Sequence, residues 1–191
     1  MTRRVLVTGA GRGIGRAIAL QLAADGFDVS VHCHKNVEAA GETLAAVNAC
    51  GRQGTLLQFD ISERAVCRRV LAEDLERSGP YYGVVCNAAI TADDAFPALS
   101  EKAWDSVIET NLTGFYNVVQ PLVMPMVSEK IKGYSKEVIE EQRKLAYDAV
   151  EKCYAENPKL SANKDYKTQE AEKVAAIDAE LGRTLYKKAI K

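Results

Sequence analysis

The sequence predicts an α/β protein: the N-terminal half of a doubly wound parallel sheet over residues 1–127, followed by an α-helical tail over residues 128–191. Three observations carry that expectation. From Arg3 to about Met126, short apolar runs alternate with stretches of helical periodicity, the pattern of successive βαβ units. A glycine-rich stretch, Thr8-Gly9-Ala10-Gly11-Arg12-Gly13-Ile14-Gly15, sits between the first apolar run and the first helical one. The composition then breaks: residues 1–127 hold nine Arg, two Lys and eleven Gly, whereas residues 128–191 hold two Arg, twelve Lys and two Gly.

With 191 residues, 47% of them apolar, the chain can bury a core of ordinary size, so one domain with an appendage is expected. The net charge of -1 gives no electrostatic case for nucleic acid or an anionic membrane as partner. Met1-Thr2-Arg3-Arg4 leads directly into an apolar strand, and no run approaches the roughly 18 apolar residues that span a bilayer. A cytoplasmic location is expected. The five cysteines, Cys33, Cys50, Cys67, Cys86 and Cys153, are scattered and include no Cys-x-x-Cys pair, against both a disulfide framework and a zinc site. His32 and His34 share a strand face at a spacing that a metal could use, but no second ligand pair accompanies them, so no metal is expected.

The first strand is Arg3 to Thr8, near-continuously apolar as a parallel strand covered on both faces requires. The glycines that follow suit a phosphate cradle. Glycine tolerates φ > 0 and close approach of a ligand, and the free N–H groups and positive dipole end of a helix attract a pyrophosphate. The helix after them carries Ile14, Ile18 and Leu22 as its inner face and ends at Asp25-Gly26. Asp28 to Cys33 forms the second strand. Where such folds place an acid for the ribose 2′-hydroxyl of NAD, this chain reads Cys33-His34-Lys35. Lys35, together with Arg12, favours NADP(H), unless both cations are simply solvated.

Asn36 caps a helix running to about Cys50, with Ala40, Leu44 and Val47 inward. Thr55 to Phe59 is the third strand, closed by Asp60-Ile61, and Ser62 caps a helix with Val66, Val70 and Leu75 as its core residues. Gly79-Pro80 ends it. Tyr82 to Cys86 is the fourth strand and leads into Asn87-Ala88-Ala89-Ile90. Ser100 caps a helix reaching Asn111-Leu112-Thr113-Gly114, beyond which Pro121 and Pro125 should end or kink the chain's next helix.

The spacing Thr-Gly-x-x-x-Gly-x-Gly resembles that of the short-chain dehydrogenase/reductase family, and most of all its 3-oxoacyl-(acyl carrier protein) reductases, enzymes of fatty acid biosynthesis. The resemblance runs from about Arg3 to about Met126. It implies a Rossmann-type fold with sheet order 3-2-1-4 and a nicotinamide cofactor held by Gly9, Arg12, Gly13, Ile14, Gly15, Lys35, Asp60, Ile61, Asn87, Ala88 and Ala89. In the family, the Asp at the place of Asp60 bonds the adenine amino group, and an Asn-Asn-Ala-Gly element borders the nicotinamide ribose. Here Cys86 stands for the first Asn of that element and Ala89 for its Gly. Asn111 carries over as the catalytic residue that anchors a water in the proton relay.

The resemblance also implies NADPH-dependent reduction of a keto group on an acyl carrier protein thioester. Yet no tyrosine of the tail is followed four residues later by lysine: after Tyr134, Tyr147, Tyr154, Tyr166 and Tyr186 come Val138, Glu151, Pro158, Glu170 and Ile190. The family's catalytic Ser and Tyr-x-x-x-Lys are therefore missing, and the composition break suggests two joined sequences of different origin. The tail reads as a helical hairpin, with Ile139, Ala146, Val150 and Cys153 on one face and Val174, Ile177, Leu181 and Leu185 on the next helix. Two functions follow from this: a reductase-derived nucleotide-binding protein with little turnover, or an interaction or assembly protein acting through the hairpin. Homo-oligomerisation remains open.

Overall fold

The computed structural model describes residues 3–131 and Lys144. Met1–Glu129 forms one compact unit. Its chain runs β1 (Arg4–Val7), α1 (Gly13–Ala24), β2 (Asp28–Cys33), α2 (Val37–Ala49), β3 (Gly54–Gln58), α3 (Arg64–Ser78), β4 (Gly83–Val85), α4 (Glu101–Ile108), a π turn (Glu109–Thr113) and α5 (Gly114–Ile131). The strands form one sheet of order β3-β2-β1-β4, every pair parallel. That is the expected order. The chain crosses from the β3 side of β1 to its β4 side after α3, so the carboxyl ends of β1 and β4 flank the topological switch point.

Alternation along β1 divides the core into two layers. Val5 and Val7 meet Val29, Val31, Ala19, Ala23, Ala40 and Val47 on the face covered by α1 and α2. Leu6 points the other way, into a cluster with Leu57, Phe59, Leu71, Tyr81, Val118 and Leu122 beneath α3 and α5. Since both faces are covered, β1 and β2 are buried along their whole length.

Several local expectations need correction. The inner face of α1 is Gly15, Ala19 and Ala23, with Ile18 and Leu22 at its margin, and Ile14 is 75% exposed. Small residues win there because α1 lies close against the sheet. In α3 the buried positions are Cys67, Leu71 and Asp74, flanked by Val66, Val70 and Leu75. Ser62 does not cap α3; Glu63 holds the N-cap position without a side-chain bond. Ser62 instead gives its N–H and its hydroxyl to Asp60 Oδ1, at 2.9 and 2.8 Å. Asn36 and Ser100 cap as expected, accepting from the N–H groups of Ala39 at 3.0 Å and Ala103 at 3.2 Å.

Helix α5 continues past Pro121 and Pro125, so neither proline ends it. Tertiary anchoring overrides the local penalty: Val118 and Leu122 are buried, and Asn117 Nδ2 donates to the carbonyls of Ile61 and Ser62 at 2.9 and 3.1 Å. The composition break near residue 127 consequently falls inside this helix. Beyond it, the expected helical hairpin lies outside the described residues.

At the opposite end of the sheet from the switch point, Arg4, Asp74 and Tyr81 form a buried polar cluster. Asp74 accepts from Arg4, from the Tyr81 hydroxyl and from Arg77 at 2.9 Å, and the Arg4 guanidinium lies 3.8 Å from the centre of the Tyr81 ring. Burial works to raise the Asp74 pKa, but these hydrogen bonds and the Arg4 charge outweigh it, and the carboxyl ends below its ordinary value.

Candidate functional site

A cavity of about 790 Å³ opens at the carboxyl ends of the strands. All eleven residues expected to hold a cofactor line it: Gly9, Arg12, Gly13, Ile14, Gly15, Lys35, Asp60, Ile61, Asn87, Ala88 and Ala89. Asn111 does not. It lines an adjoining cavity of about 190 Å³ with Thr8, Cys86, Ala88 and Leu112.

The glycine loop is built by close approach. A Cβ on Gly15 would lie 2.3 Å from the Gly9 carbonyl oxygen and 2.5 Å from Asn87 Nδ2, so no side chain fits there. Gly9 and Gly13 have φ of 66° and 56°, the left-handed region that glycine alone adopts without strain. Around Gly13 a Cβ would meet nothing within 4 Å, because that position faces the open cavity it lines. The first N–H groups of α1 have no partners within the helix and are available to an anion. The loop therefore has the shape and the donors that a pyrophosphate needs.

Two residues that sequence reasoning passed over tie this loop to the sheet. Thr8 Oγ1 accepts from the N–H groups of Asn87 at 2.9 Å and Ala88 at 3.0 Å, joining the ends of β1 and β4. Its only sequence signal is its place directly before the glycines. His32, considered above only as a metal ligand, is buried, with its Nδ1 3.2 Å from the Gly9 nitrogen and its Nε2 2.9 Å from the Phe59 carbonyl oxygen. Both ring nitrogens are thus committed to backbone.

Asn87 closes the cradle by donating from Nδ2 to the carbonyls of Thr8 at 2.9 Å and Gly9 at 3.2 Å. Ala89 stands where the family has glycine, but no residue other than glycine among those described has a positive φ, so its methyl group imposes no left-handed backbone strain. The Asn111 side chain holds the backbone of Ile90 from both sides, accepting from its N–H and donating to its carbonyl, each at 2.9 Å. The amide is therefore occupied in shaping the loop after β4. One Nδ2 hydrogen and one Oδ1 lone pair are left over for a further partner.

At the far side of the cavity, Arg12, His34 and Lys35 lie with Asp60. His34 Nε2 is 3.4 Å from Asp60 Oδ2. Burial tends to raise the Asp60 pKa, but the two bonds from Ser62 and the charges of His34 and Lys35 prevail, and its carboxyl is held below the ordinary value. The end of β2 has no acid of its own, yet it faces one at the end of β3. Among the described residues no group of three or more His, Cys, Asp or Glu is placed to hold a metal ion.

Residues 3–134 match the short chain dehydrogenase family. The chain belongs to that family. It is 49% identical over 133 residues to the 3-oxoacyl-[acyl-carrier-protein] reductase FabG of Aggregatibacter actinomycetemcomitans, a match covering 70% of this chain and 55% of the relative. It is 35% identical over 130 residues to the protein of the same name from Staphylococcus aureus, covering 68% of this chain and 53% of that one. Among solved structures, a protein described as a short-chain alcohol dehydrogenase from Sinorhizobium meliloti superposes with a TM-score of 0.62 at 34% identity, covering 66% of this chain and 50% of that chain. An alcohol dehydrogenase from Thermococcus sibiricus, complexed with 5-hydroxy-NADP, gives 0.62 at 27% identity, covering 66% and 54%. The chain thus spans about half the length of the curated relatives it matches. The matched stretch extends past Met126, the end of the motif-level resemblance, to residue 134.

Proposed function

We propose that this chain is a nucleotide-binding protein derived from an NADPH-dependent 3-oxoacyl-(acyl carrier protein) reductase, which holds NADP(H) but turns over little or no ketone. The observation that carries the binding half is the cradle itself, where Gly15 admits no Cβ, Gly13 faces the cavity at positive φ, and the eleven expected residues converge on one cavity. The α1 N-terminus would take the pyrophosphate, Asp60 Oδ2 the adenine amino group, and the loop that Asn87 and Asn111 shape the nicotinamide ribose. Arg12 and Lys35 favour a 2′-phosphate, although Asp60 offsets part of their charge.

When bound, the nicotinamide supplies a hydride to a keto carbon. This chain's residues would then have to protonate the resulting alkoxide. No Tyr-x-x-x-Lys pair is present in residues 128–191. Loss of a general acid alone lowers rates by about 10² to 10⁴. The relatives named as acyl-carrier-protein reductases make such a thioester the fitting ligand class, and a cytoplasmic location accords with that. Among the described residues no helix is long and apolar enough to cross a membrane.

Calorimetric titration with NADPH and NADH tests the cofactor assignment. Tighter binding of NADPH is expected. Equal affinities, or tighter NADH, would remove the basis for the preference.

A further inference from the structure

We infer that His32 is a positioning residue of the phosphate cradle: its neutral ring, protonated on Nε2 alone, turns the Gly9 N–H inward and so sets the glycine loop for nucleotide. This rests on the nucleotide binding proposed above.

The ring's protonation follows from its partners. The Phe59 carbonyl oxygen, 2.9 Å from Nε2, can only accept, so Nε2 carries the hydrogen. Nδ1 then presents a lone pair, which the Gly9 N–H meets at 3.2 Å. The His32 backbone takes hold of the next residue as well, its carbonyl accepting from the Ala10 N–H at 2.9 Å. The ring packs 4.2 Å from that of Phe59 and is 1% exposed, which leaves it no alternative orientation in water.

What depends on this is the position of Gly9. Its carbonyl accepts from Asn87 Nδ2 at 3.2 Å and lies where any Gly15 side chain would have to go. A Cβ on Gly9 would itself lie 3.0 Å from the Ala88 Cα. The residue is held between Asn87, Ala88 and His32, and His32 supplies the bond to its nitrogen. Without an acceptor there, a half-buried N–H loses its protein partner or the peptide turns to find another, carrying the loop with it.

The charged groups nearest the ring are His34 and Lys35, just past the end of its own strand, Asp60 after β3, and Arg12 across the cavity. Burial acts most strongly, and it lowers the His32 pKa to about 4; the bond to Phe59 and the Asp60 charge oppose it, and His34 adds to it. The neutral form therefore persists at neutral pH. A protonated ring would set a second N–H against that of Gly9.

The test separates positioning from packing with two variants. His32→Leu keeps apolar volume but offers Gly9 no acceptor. In His32→Asn the Oδ1 stands close to where Nδ1 was and can accept from Gly9, but the amide fails to reach Phe59 and leaves part of the ring's space empty. NADPH affinity should weaken about tenfold or more in the Leu variant and return to within about threefold of wild type in the Asn variant. The melting temperatures should not follow that order. Unchanged affinity in His32→Leu, or affinities that simply track stability, would overturn the inference while leaving nucleotide binding intact. Wild-type protein that binds neither nucleotide would overturn the proposed function and this inference with it. If both variants fail to fold, nitrogen NMR of the wild-type imidazole decides: the Nε2–H tautomer with a slowly exchanging Gly9 amide is expected, and the Nδ1–H tautomer would overturn the assignment.

Discussion

Replacing Gly13 by valine should abolish nucleotide binding at a modest cost in stability, and replacing Gly15 by alanine should do the reverse in emphasis. A Cβ at Gly13 meets nothing within 4 Å, so the cost to the fold is the left-handed backbone at φ 56°. For a residue with a Cβ that is about 1–2 kcal/mol, somewhat more for a branched one, against a usual stability of about 5–15 kcal/mol. The fold should survive. The branched side chain would stand in the cavity between the first N–H groups of α1 and an approaching pyrophosphate. Losing two charge-assisted hydrogen bonds, at about 1.5–3 kcal/mol each, weakens binding by more than about 100-fold. In Gly15→Ala the new methyl would fall 2.3 Å from the Gly9 oxygen and 2.5 Å from Asn87 Nδ2, so the loop itself must shift, at about 1–3 kcal/mol or more. Calorimetric NADPH titration paired with thermal melts reads both quantities. If Gly13→Val kept wild-type affinity, the glycine loop would be a structural turn, and the placement of the pyrophosphate would be wrong.

Charge at the end of β2 should control cofactor choice: Lys35→Glu is expected to weaken NADPH while sparing NADH, as read by the same titrations, and a parallel loss of both would speak against it. Asn111→Leu should loosen the loop after β4 by removing both bonds to Ile90, costing roughly 1–3 kcal/mol in chemical denaturation; no change in midpoint would mean that the loop is held otherwise. Asp74→Ala leaves the Arg4 guanidinium buried without its carboxylate and should cost about 3–5 kcal/mol. The Asp74 pKa is depressed in the folded protein, so its contribution is fully present above the unfolded value of about 3.9 and is lost as pH falls through the lower folded value. Urea midpoints of wild type should therefore fall below about pH 4, whereas the alanine variant should lack that part of the decline.

The sheet order and the cofactor cavity were legible because they rest on patterns that tertiary structure seldom overrides. Apolar runs of strand length alternating with helices, and glycines at the first strand-to-helix junction, have few other solutions. What escaped was set by close packing. Ile14 looked like a core residue by its spacing, but the nearness of α1 to the sheet admits only Gly15, Ala19 and Ala23, and Ile14 faces out. Ser62 looked like a helix cap, yet its partner is Asp60, a choice made by a turn that no periodicity reveals. His32 was visible only as half of a metal pair, since nothing in the chain order shows that Gly9 and Phe59 converge on its two nitrogens. Pro121 and Pro125 announced a break that buried Val118 and Leu122 overrule.

The central claim is that this chain binds NADPH yet does not use it. Calorimetry and steady-state absorbance on one preparation at high protein concentration, with a 3-oxoacyl thioester present, test both halves together. Saturable binding with NADPH oxidation at the no-enzyme background is the expected result. Among tail residues, Tyr147 with Lys144 three positions before it is the nearest arrangement to a proton donor, although Tyr147 lies outside the described residues. Robust turnover that Tyr147→Phe removes would contradict the account and make Tyr147 the acid.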